Sequence, residues 1–569
     1  MFAYRTPGVY FEWLDRLRHI TRVRTDVAGF IGIATRGPLH SAVKLASWQQ
    51  YVSVFGGIAS QPQGYLAYAV RGFFDNGGAE CWVVRVADPA QATAAVFDVT
   101  PNWGFVASSP GVWGRQLRVE MRRVGGNQFN LTVSLPQGNA VISRKWLSLP
   151  LNDLETLRRR IEEGEMELRR AETDPDTQLQ VEDKRRLARL IDVMTAPGVT
   201  AEDLAQSGSG LADFPGGGLE LRGNFVGGND GLATLESVHL SGVGQSAAAR
   251  WGLRVLEHID EISIVAMPDI MPMWRDPVPQ KRPEVRCDLQ PTADVWPKVE
   301  PVEVEYAPAF AEDAIQQLQL NLIQHCTQLR DRVAILDSRP LDRLPQDVIE
   351  WRNHFDTSYA ALYYPWISVP RPDGGLITVP PSGHVAGIYA RGDIEIGVHK
   401  PPANFAMEDV KDVAEPIDEI IHGVLNEKQV NVLRAYPGRG IRIGGAVTLS
   451  SDTLVRYINV RRLLLMIAES IDESTQWTVF EPNNPELWAE IARSARTFLD
   501  GIWRAGMLDG VTAQEAYSVR CDETTNPPED TERGLLQCEI GVLPPYPAEF
   551  VIVRIGKTDG GTDIRETRA

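Results

Sequence analysis

Residues 380–404, PPSGHVAGIYARGDIEIGVHKPPAN, constrain the fold more than any other stretch of this sequence. Pro380 and Pro381 end whatever precedes them, because neither carries a backbone N–H for a ladder or a helix. Ser382 follows as the expected N-cap of a short helix. Ala386, Gly387 and Ala390 carry almost no side chain, so that helix is expected to approach a sheet very closely. Lys400-Pro401-Pro402 then stops the chain again. Composition alone makes the stretch a tight, glycine-punctuated α/β turn.

Length and composition bound the class. A chain of 569 residues exceeds one ordinary core and divides into about three or four domains. Its 43% hydrophobic and 23% charged residues describe a globular protein. No apolar run reaches the roughly 18 residues of a membrane helix, and MFAYRTPGVYFEW lacks the apolar core of a secretory signal, so synthesis in the cytoplasm is expected. A net charge of −18 opposes nucleic-acid binding, which relies on Lys and Arg at phosphates. Cys81, Cys287, Cys326, Cys521 and Cys538 show no metal-ligand spacing and read as reduced thiols in cores or strands. Fourteen tryptophans favour extensive packing or interfaces.

Residues 1–24 read as an arm. Thr6-Pro7-Gly8 turns into the strand-forming Val9, Tyr10, Phe11 and Trp13, and Arg5, Arg16, Arg18, Arg22 and Arg24 make the segment basic. Two readings stay open: a first strand of the chain's own sheet, or a strand donated to a neighbour's sheet edge. In the second, each backbone hydrogen bond contributes about 0.5–1.5 kcal/mol. Beyond the arm, an apolar strand is expected over 27–34, a helix over 64–74 closed by Asn76-Gly77-Gly78, and a buried strand over 81–86. Those glycines follow the helix instead of preceding it, which excludes a phosphate loop. Short alternating strands fill 112–149. Over 151–196 charge dominates; Leu154, Leu157 and Ile161 share one helical face, and Leu187, Leu190, Ile191 and Met194 a second. That pattern predicts a two-helix hairpin, an outer decoration in preference to a coiled-coil partner site. The glycine-rich 207–231 reads as a linker.

A strand over 262–266, an amphipathic helix over 312–332 and a strand over 333–337 predict a parallel pair with a right-handed crossover. The eight prolines of 271–310 make that span a long loop. His325 and Cys326 are adjacent on the helix and cannot both ligate one metal. Another strand is expected over 359–369. Nearer the C-terminus come a strand at 441–448, an apolar helix at 457–471 with Arg461 and Arg462, and an extended piece at 477–480. A second helix runs from Pro485 toward Met507, strands follow at 517–521 and 535–542, and the apolar Phe550, Val551, Ile552, Val553 and Ile555 suit a strand buried on both faces.

Residues 380–404 resemble the PPSG…AG…AR.D…GV.K.PAN run of contractile tail sheath proteins, found in phage tails and related injection machines. SWQQYVSVFGG and FFDNGGAECWVVRV are similar to that family's N-terminal domain, and GGNDG at 227–231 to the segment leading into its central domain. GRGIRIGGAVTLS, YINVRRLLL, VFEPNNPELW, GMLDGVTAQEAYSV and PPYPAEFVIVRI resemble its C-terminal domain, in order. Ala446-Val447-Thr448 departs from the pattern, where an Arg is expected before the Thr; residues 151–196 and 271–310 look like additions. The resemblance implies a mixed α/β, multidomain chain. Its parts are an arm (1–24), an N-terminal sheath α/β domain (25–100), a β-rich insertion with the hairpin (101–224) and a subtilisin-like central domain (225–415). A C-terminal sheath domain ending in a strand arm (416–556) and a flexible tail (557–569) complete it.

An enzymatic alternative fails on one position. SGHVAG at 382–387 resembles the SPHVAG of subtilisin-like proteases, whose nucleophilic serine stands three residues before the first serine of that run. Here that position is Val379, which has no hydroxyl to attack with. Ser382, His384 and Asp373 lie too close in sequence to favour a triad, and His384 and His399 lack a third metal ligand. Arg391-Gly392-Asp393 is a chance-level tripeptide.

The resemblance therefore implies a structural subunit, without enzyme activity, cofactor or metal. Such a subunit polymerises helically around an inner tube and contracts to drive the tube through an envelope. Its implied partners are further copies of itself, the inner tube protein, and baseplate and tail-terminator or cap proteins, with no nucleic acid and no direct membrane insertion. Assembly in the cytoplasm, as part of a phage tail or tail-like particle, goes with that. Val9, Tyr10, Phe11 and Trp13, with Phe550, Val551, Ile552, Val553 and Ile555, are the implied inter-subunit strand arms. Arg456, Arg461 and Arg462 are candidates for inner-tube contact, although a helix end answered by its own acidic neighbours explains them equally. A non-contractile shell or scaffold protein is the alternative. One chain with both terminal domains argues against the two-component type VI secretion sheath, leaving phage tail and extracellular injection system open.

Overall fold

The computed structural model describes residues 19–59, 61–100, 103–125, 128–137, 140–150, 153–163, 189–195, 220–244, 250–273, 304–340 and 342–547. It divides into two compact units, a larger one of 25–396 with 402–458 and a smaller one of 1–24, 397–401 and 459–569.

The larger unit begins with β1 (Ala28–Gly32), buried at every residue because neighbours flank it on both sides and both faces are covered. β2 (Ala42–Leu45) precedes α1 (Trp48–Phe55), whose first turn is capped by Ser47 Oγ accepting from Gln50 N–H. α2 (Leu66–Asp75) ends where Gly77 takes the left-handed conformation, φ 99°. β3 (Cys81–Arg85) then lies parallel to β1 and antiparallel to β2.

An insertion of two antiparallel sheets follows. Its strands are β4 (Thr93–Thr100), β5 (Trp103–Ala107), β6 (Arg118–Gly125), β7 (Gln128–Gln137), β8 (Ala140–Pro150), β9 (Ile191–Thr195), β10 (Glu220–Asn224) and β11 (Val226–Asn229). They are ordered β10-β6-β7-β8 and β11-β4-β5-β9 around a core of Phe97, Trp103, Phe105, Phe129, Trp146 and Phe225. Two expectations are corrected here. The first helix of the anticipated hairpin exists as α3 (Leu154–Glu163), with Leu157 and Ile161 in that core, but Ile191 and Met194 belong to a strand. β9 pairs with β5, Ile191 opposite Ala107 and Met194 opposite Gly104, because an available sheet edge outweighs a short helical period. The described part of the supposed linker, from 220 on, is paired: β10 with β6 and β11 with β4, the glycines Gly227 and Gly228 bending β11 at φ 73° and 81°.

The chain then returns to the first sheet through β12 (Ile264–Ala266), α4 (Glu312–Leu329), β13 (Val333–Asp337) and β14 (Ala360–Tyr364). β15 (Ile367–Pro370), β16 (Leu376–Val379) and β17 (Asp412–Val413) make a small separate sheet, and α5 (Ser382–Glu395) lies between the last two. β18 (Asn431–Tyr436) and β19 (Gly440–Ile443) finish an eight-stranded sheet of order β19-β18-β14-β13-β12-β1-β3-β2. Its inner strands, β18 to β3, are parallel and its two edges antiparallel. The expected β12–α4–β13 unit is present. The boundaries expected at 224/225 and 415/416 do not match this sheet, which draws strands from 28–85 and 264–443 alike. The strand expected over 359–369 is divided at the cis Tyr364–Pro365 bond into β14 and β15. The 271–310 loop falls largely outside the described residues.

α5 behaves as its small residues require, with two differences. Pro381, not Ser382, holds the cap position, and the Ser382 N–H is bound by Asp337 Oδ1 at 2.9 Å. The close approach is to α2 as well as to the sheet. A Cβ on Gly383 would stand 2.3 Å from Ala69 Cα, one on Gly387 2.5 Å from the Phe73 carbonyl oxygen, and one on Gly72 2.3 Å from His384 Nδ1. Each helix supplies a glycine at the point where the other presses in.

The smaller unit holds most of α6 (Ile458–Thr475), all of α7 (Pro485–Arg504), and β20 (Tyr517–Arg520) with β21 (Glu539–Val542). α7 starts as read from the sequence: Asn484 Oδ1 accepts from Leu487 N–H at 2.9 Å, Pro485 opens the first turn, and Leu487, Ile491, Ala495, Phe498 and Ile502 are buried. Residues 476–478 form a 3₁₀ turn where an extended piece was expected.

Gly383→Ala is expected to destabilise the larger unit by about 1–3 kcal/mol in chemical denaturation, since a backbone atom blocks the added methyl. Gly423→Ala, on a helix where nothing lies within 4 Å of the new methyl, should instead stabilise by roughly 0.5–1 kcal/mol.

Candidate functional site

The chemistry suggested by residues 373–399 is not assembled. Ser382 and His384 are buried at the start of α5, whereas Asp373 is exposed on a turn and paired with Arg371 at 2.5 Å. Burial, and after it the Arg71 charge, pushes the His384 imidazole down to about 4, so the ring is neutral at physiological pH. Val379 is buried at the end of β16. Among the described residues no cluster of three His, Cys, Asp or Glu side chains has metal-site geometry. Asp337 is the carboxylate that does meet Ser382, and burial pushes it up to about 7 against that hydrogen bond. Its role is to anchor the first N–H of α5 to the end of β13.

The surface features with assembly geometry lie in the smaller unit. Residues 19–24, the last part of the arm, run along α6: Thr21 N–H donates to Ser474 Oγ at 3.2 Å and Val23 N–H to Ser470 Oγ at 3.0 Å. Ile20 and Val23 pack with Leu463, Met466, Ile467 and Phe498. Sequence reading missed these two serines, although Ser470 and Ser474 stand one turn apart on a strongly apolar helix, a spacing that marks a polar seam.

β20 and β21 form a two-stranded ribbon, which by itself is marginal. Leu543 N–H donates to the Ala516 carbonyl, which identifies that pair as hydrogen-bonded. Alternation along the register then turns the backbone of Val519 and of Ile540 away from the ribbon. The outward Val519 carbonyl is taken by Arg496 Nη2 of α7 at 2.9 Å. Among the described residues the other edge, at Ile540 and Val542, has no third strand.

Val9, Tyr10, Phe11, Trp13, Phe550, Val551, Ile552, Val553 and Ile555 lie outside the described residues. Arg456 is half-buried in the larger unit, its guanidinium 6.0 Å from the Tyr457 ring centre. Arg461 is half-buried, and Arg462 is only 3% exposed, so its guanidinium is not offered to a partner in this conformation.

The parallel sheet, the antiparallel insertion and the helical unit with its ribbon make a mixed α/β multidomain chain. Residues 295–449 match the phage tail sheath protein central domain and residues 450–557 the phage tail sheath C-terminal domain, in direct succession, and these residues belong to the contractile tail sheath family. The tail sheath protein of Salmonella phage ViI is 25% identical over 260 residues, 43% of this chain and 39% of that protein. That of Enterobacteria phage T4 is 24% identical over 248 residues, 40% of this chain and 36% of that protein. The chain thus matches less than half the length of these curated relatives. Among solved structures, the PVC sheath complex of an extracellular contractile injection system in its contracted state is similar over 98% of this chain and 99% of that one (TM-score 0.55, 17% identity). The contracted helical sheath of the anti-feeding prophage matches over 98% and 100% (0.54, 18%). The sheath tail protein of Desulfitobacterium hafniense matches over 90% and 93% (0.52, 10%). At these identities the likeness is one of fold.

Asp337 supplies a pH test. Its folded value, raised above the unfolded 3.8, means the protonated form is the one folding favours; stability is full below about pH 4 and declines toward about pH 7. Asp337→Asn keeps an acceptor for Ser382 N–H and removes that decline. The variant's denaturation midpoint relative to wild type should rise from pH 4 to pH 8; a difference constant with pH would contradict this account.

Proposed function

We propose that this chain is the structural subunit of a contractile sheath, polymerising helically around an inner tube, and that its work is mechanical and not enzymatic. The observation that carries the reading is the β20–β21 ribbon. It lies within the matched sheath C-terminal domain, with Arg496 answering one edge at Val519 and no third strand on the other among the described residues. An incoming strand there forms several backbone hydrogen bonds, each about 0.5–1.5 kcal/mol net. The arms at 1–18 and 550–555 are the strands we assign to that role, joining copies while their folded bodies repack between two lattices. The solved relatives include sheath complexes and a baseplate assembly, which supports self-association and attachment to a baseplate. The inner tube and a terminator or cap are further partners in this reading. Assembly takes place in the cytoplasm, and among the described residues no helix is long and apolar enough to cross a membrane.

A shell or scaffold that never contracts shares the fold and the ribbon. Negative-stain images separate the two, since a contractile sheath gives tubes of two lengths and diameters.

Removing residues 1–18 is expected to leave a folded monomer that no longer forms tubes by electron microscopy. Ile540→Pro should do the same by deleting one outward N–H, whereas Ile540→Ala, which keeps it, should still assemble. Tubes from the proline variant would remove the ribbon from the mechanism.

For the inner tube, Arg456 and Arg461 remain the candidate contacts. Arg456→Glu and Arg461→Glu should weaken co-sedimentation with tube protein and spare tube-free sheath polymers. Unchanged co-sedimentation would leave these arginines a purely local role.

A further inference from the structure

Two of the five cysteines meet at the base of the ribbon. The register pairs Arg520 with Glu539, so the next residues along it are Cys521 and Cys538. The Ala516–Leu543 pair is hydrogen-bonded, and alternation makes Ser518–Gly541 and Arg520–Glu539 the same kind. Cys521–Cys538 is therefore a non-hydrogen-bonded position, where Cα atoms stand about 4.5 Å apart. A disulfide needs roughly 4.4–6.8 Å. Both thiols are free.

The surroundings hold this geometry. Asn526 clamps the strand ends: its Nδ2 donates to the Gln537 carbonyl at 3.0 Å, and its Oδ1 accepts from Gln537 N–H at 2.7 Å. The same Nδ2 reaches Cys521 Sγ at 4.0 Å. Trp488, Ala492 and Leu536 wall the pair from one side, leaving Cys521 8% exposed and Cys538 half-buried. Cys81 and Cys326, by contrast, are completely enclosed in the larger unit.

We propose that Cys521 and Cys538 are a redox modification site, which a low-molecular-weight disulfide such as oxidised glutathione closes into a cross-strand bridge. The Cys538 side chain beside it holds the Cys521 thiol below the usual cysteine range, so Cys521 gives the attacking thiolate. It displaces one glutathione thiolate and forms a mixed disulfide. Cys538 then loses its proton, attacks the Cys521 sulfur and displaces the second glutathione. Two protein thiols become one disulfide, one small disulfide becomes two thiols, and the two cysteine protons end on the glutathiones. The bridge closes the 522–537 loop covalently, restricting the unfolded chain and fixing the ribbon's register. This chemistry does not rest on the assembly reading.

The test uses the full chain with oxidised glutathione, followed by unfolding, thiol titration and peptide mapping. Titratable thiols should fall by two from the five of the sequence, with a Cys521–Cys538 cross-linked peptide. The unfolding transition of the smaller unit should rise by several degrees and return with dithiothreitol. In Cys538→Ser, Cys521 should stop at the mixed disulfide. Wild-type protein that keeps all its thiols, retains glutathione on Cys521, or links either cysteine to Cys287 would overturn the proposal, whatever the variant does.

Discussion

The contact between α2 and α5 is the constraint on which the larger unit depends. Gly383 and Gly387 admit the backbone of α2, and Gly72 admits the His384 ring. At such distances no side chain larger than hydrogen fits, so the helices meet backbone against backbone at Gly383 and Gly387 and backbone against side chain at Gly72, and burial keeps His384 neutral. Asp337 fixes the other end of the same element by binding the Ser382 N–H from the end of β13. One helix is thus held to the sheet by a carboxylate and to its neighbour by the absence of side chains.

This contact was half legible. The small residues of 382–390 pointed to a close approach, while the cap expected at Ser382 sits one residue earlier, at Pro381. The partner, however, lies more than 300 positions earlier, at 69–73, beyond the reach of any periodicity. The same reason explains the sheet. Each strand from β12 to β14 shows in its own apolar run, yet parallel pairing of Ala28 with Ile264 or of Tyr363 with Asn431 is non-local and leaves no local mark. The domain boundaries that the resemblance implies therefore fall inside one sheet.

The insertion shows the opposite failure. Glycines at 227–228 read as linker because glycine favours turns, but they are bends within a paired strand. At 191–195 an apolar spacing compatible with a helix became a strand because β5 offered ladder partners. In α7 local signals were enough: its Asn-Pro start and apolar stripe fold as written. The ribbon was visible as two strands. Its chemical asymmetry was not, because Arg496 reaches Val519 from another element.

That asymmetry has a geometric consequence. A ribbon whose one border carries a guanidinium on the Val519 carbonyl, and whose other border has no third strand among the described residues, has a distinguishable front and back. With the proposed arm of one copy on the ribbon of the next, copies meet head to tail through unlike surfaces, and a contact of that kind cannot close on itself as a twofold dimer. Any polymer built from it has a direction, written by a single arginine on a helix.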